Sequence, residues 1–412
     1  MDKFVRKFEI GSNMRKKIIM ILIILFIIFF ILWYCFDKQR NDFEEIDIQI
    51  EKTDENFIQV KSAKELEAAL VNNNIKIIEI NNDIDLGYNV IKKEIEHKGI
   101  FENHNEPIIH PKLMETGVSK LKINKKDGLI LYSNNGAKIL HCNIKIENSK
   151  NIKIDNISFE ELWEWDEETK AEYDRNNWDY ISINNCDNIC ISHCEFSKAY
   201  DGITDITNSN NITIKFCKLN EINTNDEFYN QQFEYLENNI DNYSMYNFLR
   251  KKIQLSYDEI KELSSYQFKV YTIGLDNEES CDNIVIHDCM YLNAKTRIPM
   301  IRNGKALVYN IYADSTNLTK VMDKLLAANK FEKIKKEYSK VVSLNSYGII
   351  ATENSYVLAK NTIFKGAKYP YVTHKKGKDE QAGNIKIQND TKLLKNLKNE
   401  LEKTVGIINY QK

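Results

Sequence analysis

The sequence predicts an all-β fold, a right-handed parallel β-helix, and three observations carry that expectation. One short strand recurs four times, as Asn151-Ile-Lys-Ile, Asn188-Ile-Cys-Ile, Asn211-Ile-Thr-Ile and Asn283-Ile-Val-Ile. The flanks of these copies match in columns. Ser149, Cys186, Ser209 and Cys281 stand two residues before each Asn; Ile157, Cys194, Cys217 and Cys289 stand six after, and Phe159, Phe196, Leu219 and Tyr291 eight after. The closest copies are 23 residues apart, about one coil of a solenoid whose like residues stack along its axis.

Composition agrees with a folded body. The 412 residues are 42% hydrophobic, enough for a sizeable core. Only 14 Gly and 4 Pro exclude collagen-like and Pro/Gly-rich disordered chains. The net charge of −3 hides an asymmetry, because residues 1–40 hold eight Lys/Arg against three Asp/Glu and the remainder therefore carries −8. An acidic body excludes broad nucleic-acid binding. An anionic substrate would need a local basic cluster or a bound metal.

Taken in order, residues 1–17 form a basic segment that the positive-inside rule places in the cytoplasm. Ile18 to Phe36 are nineteen residues without a charge, a helix of roughly 28 Å that matches a bilayer's hydrocarbon core. They predict a transmembrane signal-anchor with the rest of the chain outside the cell; a cleaved signal peptide, giving a secreted protein, is the alternative. Residues 37–57 are polar and acidic and read as a linker. The β-helix domain spans 58–368 and the C-terminal extension 369–412. Ser62-Ala-Lys-Glu65 is a capping box that starts a helix able to cover the N-terminal end of the solenoid, and Thr391 to Val405 reads as a second, C-terminal capping helix. Helical insertions interrupt the coils at 224–266 and 317–338. The first is aromatic-rich (Phe228, Tyr229, Phe233, Tyr235, Tyr243, Tyr246, Phe248, Tyr257), suited either to stacking on sugars or to packing a small subdomain. The second places Leu318, Val321, Leu325 and Ala328 at helical spacing and is assigned packing only. Most of the eight cysteines sit in the stacked columns, so they read as buried free thiols rather than disulfides.

Chemistry concentrates in two places. Asp201-Gly-Ile-Thr-Asp205 closes one coil, and Asp179 lies at the matching edge of the coil before it. Three carboxylates without a matching basic cluster suit the oxygen coordination of calcium. Downstream stands Arg297-Ile-Pro-Met-Ile-Arg302, followed by Gly304. Each piece alone is weak, since a solvated turn and a surface Arg pair look the same.

Their order resembles the pectate lyases of polysaccharide lyase family one. Val60-Lys-Ser-Ala-Lys-Glu-Leu66 is similar to the family's entry helix, and Gly117-Val-Ser-Lys-Leu121 and Gly128-Leu-Ile-Leu-Tyr132 to its first coils. Asn151 to Phe159, Trp178-Asp179-Tyr-Ile, Asp201 with Asp205, Arg297-x-Pro299-x-x-Arg302, Leu307 to Tyr312 and Tyr347-Gly-Ile-Ile follow in the family's order. The resemblance implies calcium held by Asp179, Asp201 and Asp205, Arg297 as the catalytic base and Arg302 binding a substrate carboxylate. It also implies a substrate-binding Lys five residues before a Gly. Lys269 before Gly274 fits, with Thr224 taking that place were the first insertion put later. The implied activity is calcium-dependent β-elimination on (1→4)-α-D-galacturonan by a monomeric polysaccharide lyase with an acidic polysaccharide as its partner. Two departures, Ser192 for an Asp and Met300 for an Arg, point to weaker catalysis. They leave open a non-catalytic carbohydrate-binding adhesin, or a lyase on another uronate polymer.

Overall fold

Each coil turns on the asparagine that heads its repeat. Asn151, Asn188, Asn211 and Asn283 take φ of 57°, 59°, 58° and 54°, a left-handed conformation that Asn tolerates and β-branched residues do not. Their amides stack from coil to coil. Asn188 Nδ2 donates to Asn151 Oδ1, Asn283 Nδ2 donates to Asn211 Oδ1 at 2.9 Å, and Asn211 Nδ2 turns to Asp187 Oδ1 at 2.7 Å. The computed structural model describes Met20 and residues 43–96, 98–104, 108–275, 280–342, 345–374 and 382–410. Residues 1–44 and 45–412 are separate units, and the second is the solenoid. The expected membrane segment 18–36 lies, Met20 apart, outside the described residues, among which no helix is long and apolar enough to cross a membrane.

The coils build one sheet of fifteen strands and one of nine. Among the described residues the pairing in these sheets is parallel, except that Phe101–Asn103 runs antiparallel to Ser119–Asn124. Register keeps like on like. Ile152, Ile189, Ile212, Ile284, Ala306, Val357 and Ile385 follow one another across neighbouring strands. The seven described cysteines are free and buried. In the column of Cys194, Cys217 and Cys289, the backbone N–H of Cys217 donates to Cys289 Sγ at 3.4 Å.

The ends depart from expectation. Ala63–Val71 is helical and buries Leu66, Ala69 and Leu70, with Ser62 Oγ accepting from the Glu65 N–H as the capping box requires. Strands Tyr369–His374 and Asn384–Gln388 add a further coil, so the solenoid outruns residue 368. The helix Thr391–Thr404 does not cap the end. Leu397 and Leu401 pack on Met290 and Tyr312 along the flank of the fifteen-stranded sheet. From there residues 406–410 run back over earlier coils, with the Gly406 N–H on the Phe216 carbonyl, Ile408 exchanging bonds with Asn156, and the Tyr410 N–H on the Asn134 carbonyl. Residues 45–48, expected to be linker, also lie on this sheet. Glu45 pairs with Lys215 at 2.7 Å, Asp47 with Lys153 at 3.1 Å, and Ile48 is buried.

The first insertion folds as helices Glu227–Asn238, Ser244–Asn247 and Tyr257–Ser264. Tyr229, Phe233 and Tyr246 are buried, and Phe233 packs on Trp163 and Trp165. Its aromatics are chiefly core. In the second insertion Leu318, Met322 and Leu325 are the buried stripe of Thr316–Ala327; Met322 takes the place expected of Val321, and Ala328 is exposed.

Candidate active site

Four consecutive strands of the nine-stranded sheet, Ile181–Asn184, Thr204–Thr207, Tyr271–Ile273 and Met300–Arg302, gather the residues that the sequence singled out. Along this sheet Ser182, Asp205, Thr272 and Met300 face one another in register. Asp179 enters just ahead of the first strand and is 1% exposed. Its Oδ1 accepts the Gly202 N–H at 2.8 Å, whereas its Oδ2 is buried with no hydrogen-bond partner. A Cβ on residue 202 would stand 2.6 Å from that Oδ1, which is why the turn between Asp201 and Asp205 needs glycine.

The three carboxylates repel one another in a poorly solvated place. Burial, then Asp205 and Asp201, drive the Asp179 carboxyl well above its ordinary pKa. Burial also raises Asp201, although Lys269 opposes it, and raises Asp205 with help from the Asp201 charge. Buried like charges behave this way, and a bound cation reverses the effect. The donor chemistry and the orphaned Asp179 oxygen fit a hard divalent cation. The cage is open, however: among the described residues no three acidic, His or Cys side chains already close around a metal. Asp201 explains part of this, because its Oδ1 faces Lys269 Nζ at 2.6 Å.

Lys269 ends the strand Gln267–Lys269, and its Nζ lies beside Asp201. Thr224, the alternative, lies instead in a cleft between the two insertions with Glu221 and Lys324. Burial works against the Lys269 ammonium, but Asp201 and Asp174 hold its pKa above the ordinary value. Arg297 leads into the Met300–Arg302 strand and donates to Thr272 Oγ1 at 2.7 Å. The Thr272 hydroxyl also lowers the pKa of the Asp205 carboxyl against the effect of burial, so it stands between Asp205 and Arg297. Burial first, and then the Arg302 charge, push the Arg297 guanidinium below its ordinary pKa, against the pull of Asp201, Asp205 and Asp174. Met300 places its sulfur 3.8 Å from an Arg302 nitrogen, inside the site. Ser192 is elsewhere: its strand, Asp187–Ser192, belongs to the fifteen-stranded sheet, and its hydroxyl binds Asp155.

No family model matches the chain. A curated relative does: pectate lyase B of Paenibacillus amylolyticus is 34% identical over 321 residues, 76% of this chain and 81% of that protein. This chain belongs to the pectate lyase family. Among solved structures, the pectate lyase pelN of Paenibacillus sp. 0602 superposes with a TM-score of 0.73 at 32% identity, covering 83% of this chain and 78% of that one. A pectate lyase of a Bacillus species in complex with trigalacturonate gives a TM-score of 0.50 at 14% identity over 87% and 95%, and supports the fold alone. The large parallel sheets fit the right-handed parallel β-helix of these pectate lyases, and the chain is an enzyme of the polysaccharide lyase class.

Two residues that sequence reasoning missed belong to the site. Asp174, on the loop before Asp179, pairs with Lys269 at 2.7 Å, and Thr272 holds Arg297. The cavity lined by Trp163, Lys198 and Phe228, about 210 Å³, lies away from these groups. An open sheet face suits a polymer better than an enclosed pocket does.

Proposed function

We propose that the enzyme cleaves (1→4)-α-D-galacturonan by β-elimination, with Arg297 as the base, to give 4,5-unsaturated oligogalacturonides. The observation that carries this reading is the placement of Arg297, with its depressed pKa, on the same sheet face as the buried Asp179 and the partly buried Asp201 and Asp205, which lack a full set of cations. Arginine is normally always protonated. Burial and a neighbouring Arg302 are what allow it to act as a base.

Arg302 and Lys269 bring cationic groups to the substrate carboxylate and fix the uronate ring against Arg297. An unprotonated Arg297 nitrogen removes the proton on C5. The electron pair of that C–H bond becomes the C4–C5 double bond, the C4–O4 bond breaks, and O4 leaves with a proton from solvent. Thr272 keeps the guanidinium aimed through the reaction. Asp179, Asp201 and Asp205 would hold a calcium ion, which when bound would supply neutralisation of the substrate carboxylate, without which C5 is a poor acid.

The test is absorbance of the unsaturated product at its ultraviolet band, on polygalacturonate, with and without EDTA. A rise with calcium that EDTA abolishes is the expected result; equal activity in both removes the metal from the reading. A surface adhesin with no turnover is not favoured by family membership. The catalytic body works outside the cell, held by the 18–36 segment in the membrane. Soluble protein beginning near residue 37 would show that segment to be a cleaved signal peptide instead.

A further inference from the structure

We propose that Asp174 competes with the substrate, its carboxylate standing on Lys269 where a galacturonate carboxylate binds. This inference rests on the substrate-binding role proposed for Lys269. Three oxygens surround the Lys269 ammonium: it donates to Asp174 Oδ1 at 2.7 Å and to the Tyr173 carbonyl at 3.5 Å, and it forms an ion pair with Asp201 Oδ1 at 2.6 Å. A uronate carboxylate gains full access to this crowded ammonium by displacing one of them.

The three differ in what their release costs. The Tyr173 carbonyl is backbone, in a residue only 2% exposed. The Asp201 side chain is 16% exposed and sits among the carboxylates proposed to bind metal. The Asp174 side chain is 53% exposed, so water resolvates it readily when it lets go. Its loop does not depend on it. Asp166 accepts from the backbone N–H groups of Thr169 and Tyr173 at 2.9 and 2.7 Å, and backbone bonds from Ala171 to Asp166 and from Glu172 to Thr169 complete the turn without the Asp174 side chain. Asp174 therefore swings free while its backbone stays, and it offers Lys269 the same functional group as the polymer does. Its charge keeps the buried lysine paired until substrate arrives.

Removing the competitor tightens substrate binding. Asp174→Asn should lower the KM for polygalacturonate roughly two- to fivefold, the worth of an ion pair of this exposure. Asp174→Ala, which leaves no amide to bond Asp201, should do the same. Trigalacturonate titrated calorimetrically into the inactive Arg297→Ala protein, with and without Asp174→Asn, reads the gain as affinity. In a Lys269→Gln background the Asp174 effect should vanish. A KM that is unchanged or raised by both Asp174 variants, with circular dichroism intact, overturns the competition. If Lys269→Gln itself leaves KM and trigalacturonate affinity at their wild-type values, the role of Lys269 fails and the competition falls with it, a result told apart from the first by that single variant.

Discussion

Acid and base side chains gather on both sheets, and the two clusters behave in opposite ways. On the fifteen-stranded sheet, burial pushes Asp47 up, but a hydrogen bond and the charge of Lys153, with Lys215 behind, hold it below its ordinary pKa. Glu45 has Lys215, and Asp155 has the hydroxyls of Ser192 and Tyr410. On the nine-stranded sheet, Asp179, Asp201 and Asp205 are all driven up, and one Asp179 oxygen has no partner. A structural cluster satisfies its own charges; the cluster left strained by burial and repulsion is the one proposed to take a cation and an anionic substrate.

Substitutions that touch only one cluster separate them. The largest effect belongs to Arg297→Lys, which keeps the charge but loses the planar fork that Thr272 aims. Turnover should fall by about 10²–10⁴, the usual worth of a positioned base, with the circular dichroism spectrum unchanged. Retention of more than about a tenth of wild-type turnover would reassign the base. Arg302→Lys should be milder, raising KM more than it lowers kcat. Next come Asp201→Asn and Asp205→Asn, each of which removes one acid donor; calorimetry should show calcium affinity weakened about tenfold or more, the scale on which lost ligand-sphere groups are felt. Unaltered calcium affinity in both variants would place the metal elsewhere.

The pH response follows from the signs. Protons occupy the raised carboxyls at pH values where ordinary aspartates are already ionised, so calcium affinity should drop as pH falls through that elevated range. Arg297, lowered, gains its neutral form at lower pH than a free guanidinium does. Both effects point the same way. The rate should climb from neutral toward alkaline pH, and a rate maximum on the acid side, measured with saturating calcium, would contradict the assignment.

The solenoid was legible because its period is written in four Asn-headed strands and their columns, and the site because Asp201, Asp205, Arg297 and Arg302 lie in short fixed spacings. What escaped has no period. Thr272 looks like any strand threonine until Arg297 is folded against it, and Asp174 sits in a loop of arbitrary length. The docking of residues 45–48 depends on Lys153 and Lys215, which are 106 and 170 residues away from their partners. Ser192 misled for the complementary reason. Residues 187–192 follow Ile181–Asn184 closely in the chain, yet the turn at Asn185 carries them onto the other sheet.

That misplacement yields the smallest effect on turnover and the cleanest test of the two-cluster contrast. If Ser192 were a weakened catalytic position, Ser192→Asp would restore activity toward the family pattern. Its placement on the structural sheet predicts no gain: kcat/KM on polygalacturonate should stay within about twofold of wild type, because a charge on another sheet contributes little to the transition state. Stability should respond instead. Asp155 is the cross-strand neighbour of residue 192 and now accepts the Ser192 hydroxyl, so a second carboxylate there exchanges a hydrogen bond for a like-charge pair. The neighbour on the other side is Lys215, already held by Glu45, which offsets part of the repulsion. A net loss of about 1–3 kcal/mol in denaturant unfolding is the expected balance. A rise in kcat/KM beyond that twofold margin would mean that the two clusters communicate, and that the division between a satisfied sheet and a reactive one is drawn in the wrong place.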